Sequence, residues 1–233
     1  MPAGAEVRRG LRAGLPIALG YLPVAVTYGL LSRQAGLSPL EATGMSLLVY
    51  AGASQFMAVK MLAAGSPAVQ IILATFILNF RHFLMSASLS QKLTSGPPRP
   101  TLLAYWVTDE TFVAGGLGLA DPSFTSLSFL AMGLVAYLAW AGGSLAGALF
   151  GALIPASLAE AMGVGLYALF IALLVPSVRG NWRGAAVAAA SALASFGLWR
   201  ALPSLAEGWR IVAATLAAAS LGLLLPRRQE RRS

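Results

Sequence analysis

The sequence LNFRHFLMS places an amide, a guanidinium and an imidazole in an otherwise apolar stretch that predicts a helix. These groups belong to Asn79, Arg81 and His82, and His82 is the only histidine of the chain. Side chains three or four residues apart share a helix face, so Asn79 and His82 form a polar stripe with Thr75 and Ser86. Arg81 points about 100° away from His82 and needs a partner of its own, either an acid or a substrate carboxylate. The alternative is that these groups only join helices by hydrogen bonds.

Asp109 and Glu110 are adjacent acids in the apolar stretch that contains VTDETF. Neighbouring helical residues face different directions, so we expect at least one of the two carboxylates to point into the protein. A buried carboxylate at this place would bind an amine, carry a proton or neutralise Arg81. The alternative is that both acids lie at a helix end in the membrane interface.

A third polar cluster lies in VYAGASQF, where small and polar residues occupy the centre of an apolar stretch. The cluster predicts a broken helix, whose free backbone N–H groups would face an anion such as a carboxylate. The alternative is an unbroken helix that uses its small residues for close packing. The candidate residues of this cluster are Tyr50, Gly52, Ser54 and Gln55.

These residues do not form the motif of a known enzyme class. A rhomboid-type protease needs Gly-x-Ser-Gly, and here Gln55 stands where the second glycine belongs. Neither Asp109 nor Asp121 has the Gly-x-Gly-Asp setting of an aspartyl intramembrane protease. The chain contains no cysteine, no HExxH and no Walker motif. We therefore expect no enzyme, no metal site and no cofactor.

The composition predicts an all-α fold, a polytopic membrane helix bundle in contact with the lipid bilayer. Of the 233 residues, 58% are hydrophobic and 10% are charged, whereas a soluble domain carries about 25% charged residues. A membrane-spanning helix needs about 20 mostly apolar residues. About seven to eight such segments are present, at 11–32, 40–64, 67–90, 101–119, 124–153, 160–178, 184–202 and 207–225.

The basic residues favour an arrangement in which two segments are broken or re-entrant. If all eight segments cross and both termini are cytoplasmic, nine basic residues lie inside and five outside. If segments two and five turn back, Lys92 and Arg99 move inside and the balance becomes eleven against three. Because positive charge marks the cytoplasmic side, the second arrangement is favoured. The candidate break in segment five is WAGGS, from Trp140 to Ser144.

The same charges suggest how the chain is organised. Residues 1–10 form a basic cytoplasmic segment, residues 11–225 a transmembrane transporter domain, and residues 226–233 a basic tail. The apolar stretch after Arg12 is too long for a signal peptide and lacks a clear cleavage site, so we expect it to be the first retained span. The net charge of +8 is interpreted as membrane topology rather than as nucleic-acid binding.

Three blocks of sequence, in order, resemble the AzlC family. They are GLSPLEATGMSLLVYAGASQFMAVKMLAAG, LNFRHFLMSASLSQKL and TDETF. The resemblance extends from about Leu11 to Leu225 and includes YLAW in segment five and the later run LFIALLVP. AzlC proteins are the large subunits of two-component branched-chain amino acid exporters.

The resemblance implies export of leucine, isoleucine, valine and often methionine across the bacterial inner membrane. It also implies a small AzlD-like membrane partner and an ion gradient rather than ATP as the energy source. Two alternatives stay open: a membrane scaffold or assembly subunit without a transport site, and an exporter of another small solute.

An amino acid zwitterion would place the candidate residues in complementary roles. Arg81 or the broken backbone from Gly52 to Ser54 would hold the carboxylate, and Asp109 or Glu110 would hold the ammonium group. Either acid, or His82, would carry a coupling proton, since histidine titrates near neutral pH.

Overall fold

The computed structural model describes residues 3–91, 93, 100–118 and 124–155, isolated residues between 157 and 179, and residues 181–202 and 207–224. Lys92, Arg99 and the predicted tail therefore lie outside the described residues, and segment six is described only in part. The chain divides into two compact units, Met1–Leu173 and Leu174–Ser233.

Every described element is helical, which confirms the all-α prediction. Short 3₁₀ turns follow two of the helices, at Ala104–Trp106 and Gly151–Leu153. The first unit contains α1 (Ala3–Gln34), α2 (Pro39–Leu48), α3 (Gly52–Ala63), α4 (Ala68–Ser90), α5 (Pro100–Leu103), α6 (Asp109–Gly118) and α7 (Ser126–Phe150). The second unit contains α8 (Trp182–Ala201) and α9 (Glu207–Leu224).

Within the described residues, three helices are long and apolar enough to cross a membrane: α1, α4, and α7 with the turn that follows it. The other helices of the first unit are much shorter. The 10 residues of α2 and the 12 residues of α3 span about 15–18 Å each, roughly half of the hydrocarbon core. Neither helix alone crosses the bilayer.

Helices α1 and α7 pack backbone to backbone and run parallel. A Cβ atom added at Gly14 of α1 would lie 2.7 Å from the carbonyl oxygen of Met132, and one at Gly147 of α7 would overlap the carbonyl of Val26. The numbering rises along both helices from one contact to the next, so the two helices point the same way. Glycine is required at these positions because any side chain would separate the helices.

Helix α4 runs opposite to α1 and α7. Leu89, near its C-terminal end, packs in a buried cluster with Phe129 and Met132 from the start of α7. Ala13 and Ile17, from the first half of α1, pack against the same cluster. The end of α4 therefore lies beside the starts of α1 and α7. The end of α1 and the start of α4 therefore lie on the same side of the membrane. Segment two, which connects them, enters the bundle and returns to that side.

Segment two forms a first hairpin, α2 and α3 with the tip Val49–Ala51. In the first arm, the hydroxyl of Tyr28 donates to the carbonyl of Ala42 in α2 over 3.3 Å. In the second arm, the ring centroid of Phe56 in α3 lies 5.6 Å from that of the same tyrosine. The structure confirms the break predicted in segment two.

Segment four forms a second hairpin, which enters from the opposite side. Its incoming arm is α5 and the following 3₁₀ turn, its tip is Val107 and Thr108, and its outgoing arm is α6. Leu103 packs in the cluster with Phe129, and a Cβ at Gly115 of α6 would lie 2.7 Å from the same phenylalanine ring. Both arms therefore lie beside the start of α7.

The break predicted in segment five was wrong, because α7 is continuous from Ser126 to Phe150. The small residues of WAGGS serve the packing role that was the alternative. A Cβ at Gly143 would lie 2.7 Å from the Cβ of Ala25 in α1. The hydroxyl of Ser144 donates to the carbonyl of Trp140 over 2.8 Å, inside the same helix.

The second unit is a pair of helices. The side chain of Asn181 caps α8 by accepting from the backbone N–H of Gly184 over 3.1 Å. Arg183 donates to the carbonyl of Gly222 in α9 over 3.2 Å. This bond helps to join the two helices near the start of α8 and the end of α9.

Candidate functional site

The tips of the two hairpins meet α1, α4 and α7 around a cavity of about 30 Å³. This volume holds about two water molecules. Six of the nine predicted candidate residues line it: Tyr50, Gly52, Arg81, His82, Asp109 and Glu110. The polar groups that were separate in sequence thus converge at one place.

The other three candidates lie outside the lining. The hydroxyl of Ser54 is buried and donates to the carbonyl of Ala51 over 2.9 Å. Gln55 is 1% exposed and lies behind the first hairpin tip. Asn79 is half-buried on α4, and its buried amide oxygen accepts no hydrogen bond within the described part of the chain. These residues would act on the site only indirectly.

Arg81 and Asp109 form an ion pair across the cavity. The guanidinium Nη2 lies 2.9 Å from a carboxylate oxygen of Asp109, and the two side chains are 34% and 23% exposed. The pair joins α4 to the outgoing arm of the second hairpin. It also explains why an arginine is tolerated at this depth, since charged groups inside a membrane protein are stable when paired.

Glu110 is held by a hydroxyl group from α1. The hydroxyl of Tyr21 donates to Oε2 of Glu110 over 2.5 Å, and it lies 2.8 Å from Oγ1 of Thr108. The two neighbouring acids therefore have different partners, a cation for Asp109 and a phenol for Glu110.

The second hairpin tip is also a helix start. The Oγ1 atom of Thr108 accepts from the backbone N–H of Thr111 over 3.3 Å, and the Thr108 carbonyl begins the hydrogen-bond ladder of α6. The acids Asp109 and Glu110 occupy the first turn, where the helix dipole favours negative charge.

The first hairpin tip turns a second helix start toward the cavity. Ala51, Gly52 and Ala53, at the start of α3, line the cavity. The first N–H groups of a helix have no partner in the preceding turn, and that of Ala51 donates to the side chain of Gln55. Tyr50 adopts a φ of 44°, a left-handed conformation that is uncommon for a residue with a side chain. Its ring is 3% exposed, and its hydroxyl has no hydrogen-bond partner among the described residues.

A buried hydrogen-bond network fixes this tip to α7. The amide oxygen of Gln55 accepts from the indole N–H of Trp140 over 3.0 Å and from the backbone N–H of Ala51 over 3.2 Å. The amide nitrogen donates to Ser46 over 2.9 Å, and the Ser46 hydroxyl donates to Ser144 over 2.7 Å. Each member is satisfied, so the network specifies one position for the tip.

Two tyrosine hydroxyls cap the carbonyl end of α2. Tyr105, from the second hairpin, and Tyr137, from α7, both donate to the carbonyl of Leu47, the second over 2.9 Å. The ring of Tyr50 packs edge-on against Tyr137 with 5.0 Å between centroids. This cluster is where the two hairpins contact each other.

Sequence reasoning missed Tyr21, Thr108 and Trp140 as lining residues. The pattern Thr-Asp-Glu carried a signal for Thr108, since a threonine followed by two acids is typical of a helix start. Trp140 was named only as part of the candidate break in segment five. Nothing in the sequence distinguished Tyr21 from Tyr28, the other aromatic residue of α1.

The arrangement is suited to bind a small molecule with charges of both signs. The start of α3 lies in the lining together with the Arg81–Asp109 ion pair and the carboxyl group of Glu110. Within the described ranges, no group of three His, Asp or Glu side chains is placed to hold a metal ion.

Comparison with known proteins places this site within a family. The profile described as AzlC protein matches residues 16–154, the range that contains both hairpins and all of the lining residues. No solved structure matches the chain.

Similar proteins occur in archaea and bacteria. A membrane protein of Archaeoglobus fulgidus is 34% identical over 196 residues, which is 83% of this chain and 86% of the relative. The inner membrane protein YgaZ of Escherichia coli is 32% identical over 186 residues, 76% of either chain. The branched-chain amino acid transport protein AzlC of Bacillus subtilis is 24% identical over 162 residues, 69% of this chain and 63% of the relative.

Proposed function

Because the chain belongs to the AzlC family and has a role in membrane transport, we propose that it exports branched-chain amino acids. The proposed substrates are leucine, isoleucine and valine, with methionine as a further candidate. The chain would lie in the inner membrane with both termini cytoplasmic, and an ion gradient would drive export. A small AzlD-like membrane subunit would complete the transporter.

The observation that supports this proposal is the convergence of two half-membrane hairpins on a cavity with charges of both signs. Broken helices whose ends meet near the bilayer midplane are typical of transporter binding sites. The start of α3 and the unpartnered hydroxyl of Tyr50 would hold the substrate carboxylate, with Arg81 adding a positive field. Glu110, beside them, would hold the ammonium group.

Within this proposal, the small cavity would correspond to a closed state of the transporter. At about 30 Å³ the cavity admits water but not a branched aliphatic side chain. Substrate entry therefore requires one hairpin to move away from the other. The hydroxyl bonds from Tyr105 and Tyr137 to Leu47 are the contacts that would break first, since they join the two hairpins and α7.

Efflux from bacterial cells tests the function directly. Cells lacking their own branched-chain exporters are loaded with dipeptides containing leucine and valine, and this chain is expressed with and without the proposed small partner. We expect leucine and valine to appear outside faster only when both chains are present. Unchanged efflux, with both proteins confirmed in the membrane, would reject branched-chain substrates and favour another solute or a scaffold role.

A further inference from the structure

The charged groups around the cavity differ in how they are neutralised. Tyr21 of α1, Tyr50 of the first hairpin, Arg81 and His82 of α4, and Asp109 of the second hairpin surround Glu110. The lining residue from α7, Trp140, does not titrate. Arg81 balances Asp109, which leaves the charge of Glu110 as the surplus when His82 is neutral.

Two features stabilise the carboxylate form of Glu110, whereas its poorly solvated surroundings favour the neutral acid, so both forms are accessible. The phenol of Tyr21 donates to its Oε2 at 2.5 Å, and a donor to a carboxylate favours the charged form. Glu110 also lies in the first turn of α6, where the helix dipole stabilises negative charge. A carboxyl group placed in this way beside a small cavity can bind either a proton or another cation.

We infer that Glu110 is the residue on which a proton and the substrate ammonium group alternate, an inference that rests on the proposed function. Protonation converts the Glu110 carboxylate to a neutral acid. When a substrate ammonium group arrives, the acid releases that proton to water and the carboxylate pairs with the ammonium. Because one carboxylate cannot hold both cations, each substrate bound displaces one proton. This exchange would couple export to proton entry.

The geometry assigns this role to Glu110 rather than to its neighbours. An oxygen of Asp109 lies 2.9 Å from the guanidinium of Arg81, so protonating Asp109 would break an ion pair. His82 follows Arg81 in the same helix, and a second positive charge there would be repelled. Tyr21 is assigned as a positioning residue, since its hydroxyl donates to the Glu110 carboxylate.

Leucine binding to the purified protein, assembled with its proposed small partner in lipid nanodiscs, tests the exchange. Calorimetry in buffers of different ionisation enthalpy, between about pH 5 and pH 8, counts the protons released. In the pH range where Glu110 is protonated, we expect release of about one proton per leucine. The affinity for leucine should then fall about tenfold for each unit by which the pH is lowered. Glu110→Gln should abolish both effects. Glu41→Gln is the matched control, since Glu41 is an exposed capping residue whose role glutamine also fills.

The Tyr21→Phe variant tests the positioning role. Without the phenol, the ionised form of Glu110 loses a hydrogen-bond donor. The pH at which leucine binding falls to half of its maximum should therefore be higher than in the wild type. The same variant serves as the test if Glu110→Gln fails to insert, and an unchanged pH profile would then overturn the inference.

The outcomes separate this inference from the proposed function. Leucine binding that is independent of pH, or that keeps its pH dependence in Glu110→Gln, overturns the proton exchange and leaves the transport proposal intact. If leucine does not bind at any pH, the proposed substrate is wrong. Infrared titration of the acid carbonyl band, without substrate, then shows whether Glu110 takes up a proton at all. Persistence of the full band in Glu110→Gln would reject that role.

Discussion

Arg81 and Asp109 neutralise each other in an ion pair, and for this reason both charges are tolerated inside the protein. Removing one charge leaves the second in a region where solvation is poor. The side chains are 34% and 23% exposed, so the cost is smaller than for a fully buried pair. At the scale of single residues, the site is therefore most sensitive to changes that leave one charge alone.

Arg81→Gln and Asp109→Asn should each destabilise the protein by about 1–3 kcal/mol, below the cost of breaking a fully buried pair. The double variant should recover most of this loss, because neither charge is then isolated. Efflux should stay reduced in all three variants. Thermal melting in detergent and efflux in cells measure the two properties separately. Equal stability of the single and double variants would argue against the pair.

Gly52 is required where the indole of Trp140 meets the first hairpin tip. A Cβ at this position would lie 2.8 Å from Cη2 of the indole, so Gly52→Ala should displace the ring and lower efflux. Gly44→Ala is the matched control in α2, where a Cβ would contact nothing within 4 Å. The control should be neutral or more stable by up to about 1 kcal/mol, since alanine favours helix. Loss of function in both variants would contradict this explanation.

The first hairpin depends on a single amide side chain at the scale of elements. Gln55 connects the tip to α2 and α7 through the Ala51 backbone, Ser46 and Trp140. Gln55→Met keeps the volume but removes these bonds, so buried polar groups lose their partners at about 1–3 kcal/mol each. Melting temperature and efflux should both fall, whereas Gln34→Met, at an exposed position, should change neither. A stable Gln55→Met variant would show that the tip is held by packing alone.

The two hairpins illustrate what sequence could and could not reveal about elements. YAGASQ predicted the break in segment two, because small and polar residues at the centre of a segment do little to stabilise an uninterrupted membrane helix. The acids of VTDETF were expected either inside a helix, with one pointing into the protein, or at a helix end in the interface. They lie in the first turn of α6, and Thr108 caps that helix start. WAGGS has the composition of a break but packs against α1, and only the neighbouring helix decides between these outcomes.

At the scale of the whole molecule, the charge pattern favoured two broken segments, two and five, and among the described residues the breaks lie in segments two and four. Between residues 101 and 153 the chain has no lysine or arginine. Moving the second break from segment five to segment four therefore changes no side assignment. Eleven basic residues still lie inside and three outside. Composition alone predicted the membrane bundle, and six candidate residues converge. The contributions of Tyr21 and Trp140 depend on long-range packing that no local pattern encodes.

Cysteine labelling tests the topology, and the natural chain offers no background because it has no cysteine. Exposed positions near helix ends are Ala5, Gln34, Ala64 and Gln91. If segment two is re-entrant, Gln34→Cys and Ala64→Cys should react from one side of the membrane, and Ala5→Cys and Gln91→Cys from the other. Eight full crossings would instead place Ala5 with Ala64 and Gln34 with Gln91. An impermeant maleimide applied to intact and to inverted vesicles distinguishes the two patterns.

The glycine contacts between α1 and α7 have a mechanical consequence. Where two backbones touch with no side chain between them, neither helix can roll or slide without a steric clash. The pair is therefore a rigid frame. The hairpins are attached to it by tyrosine, serine and glutamine hydrogen bonds, which can exchange partners without overlap of atoms. We therefore expect α1 and α7 to stay in place during transport while the two hairpins move. Each hairpin would move about its connections on its own side of the membrane.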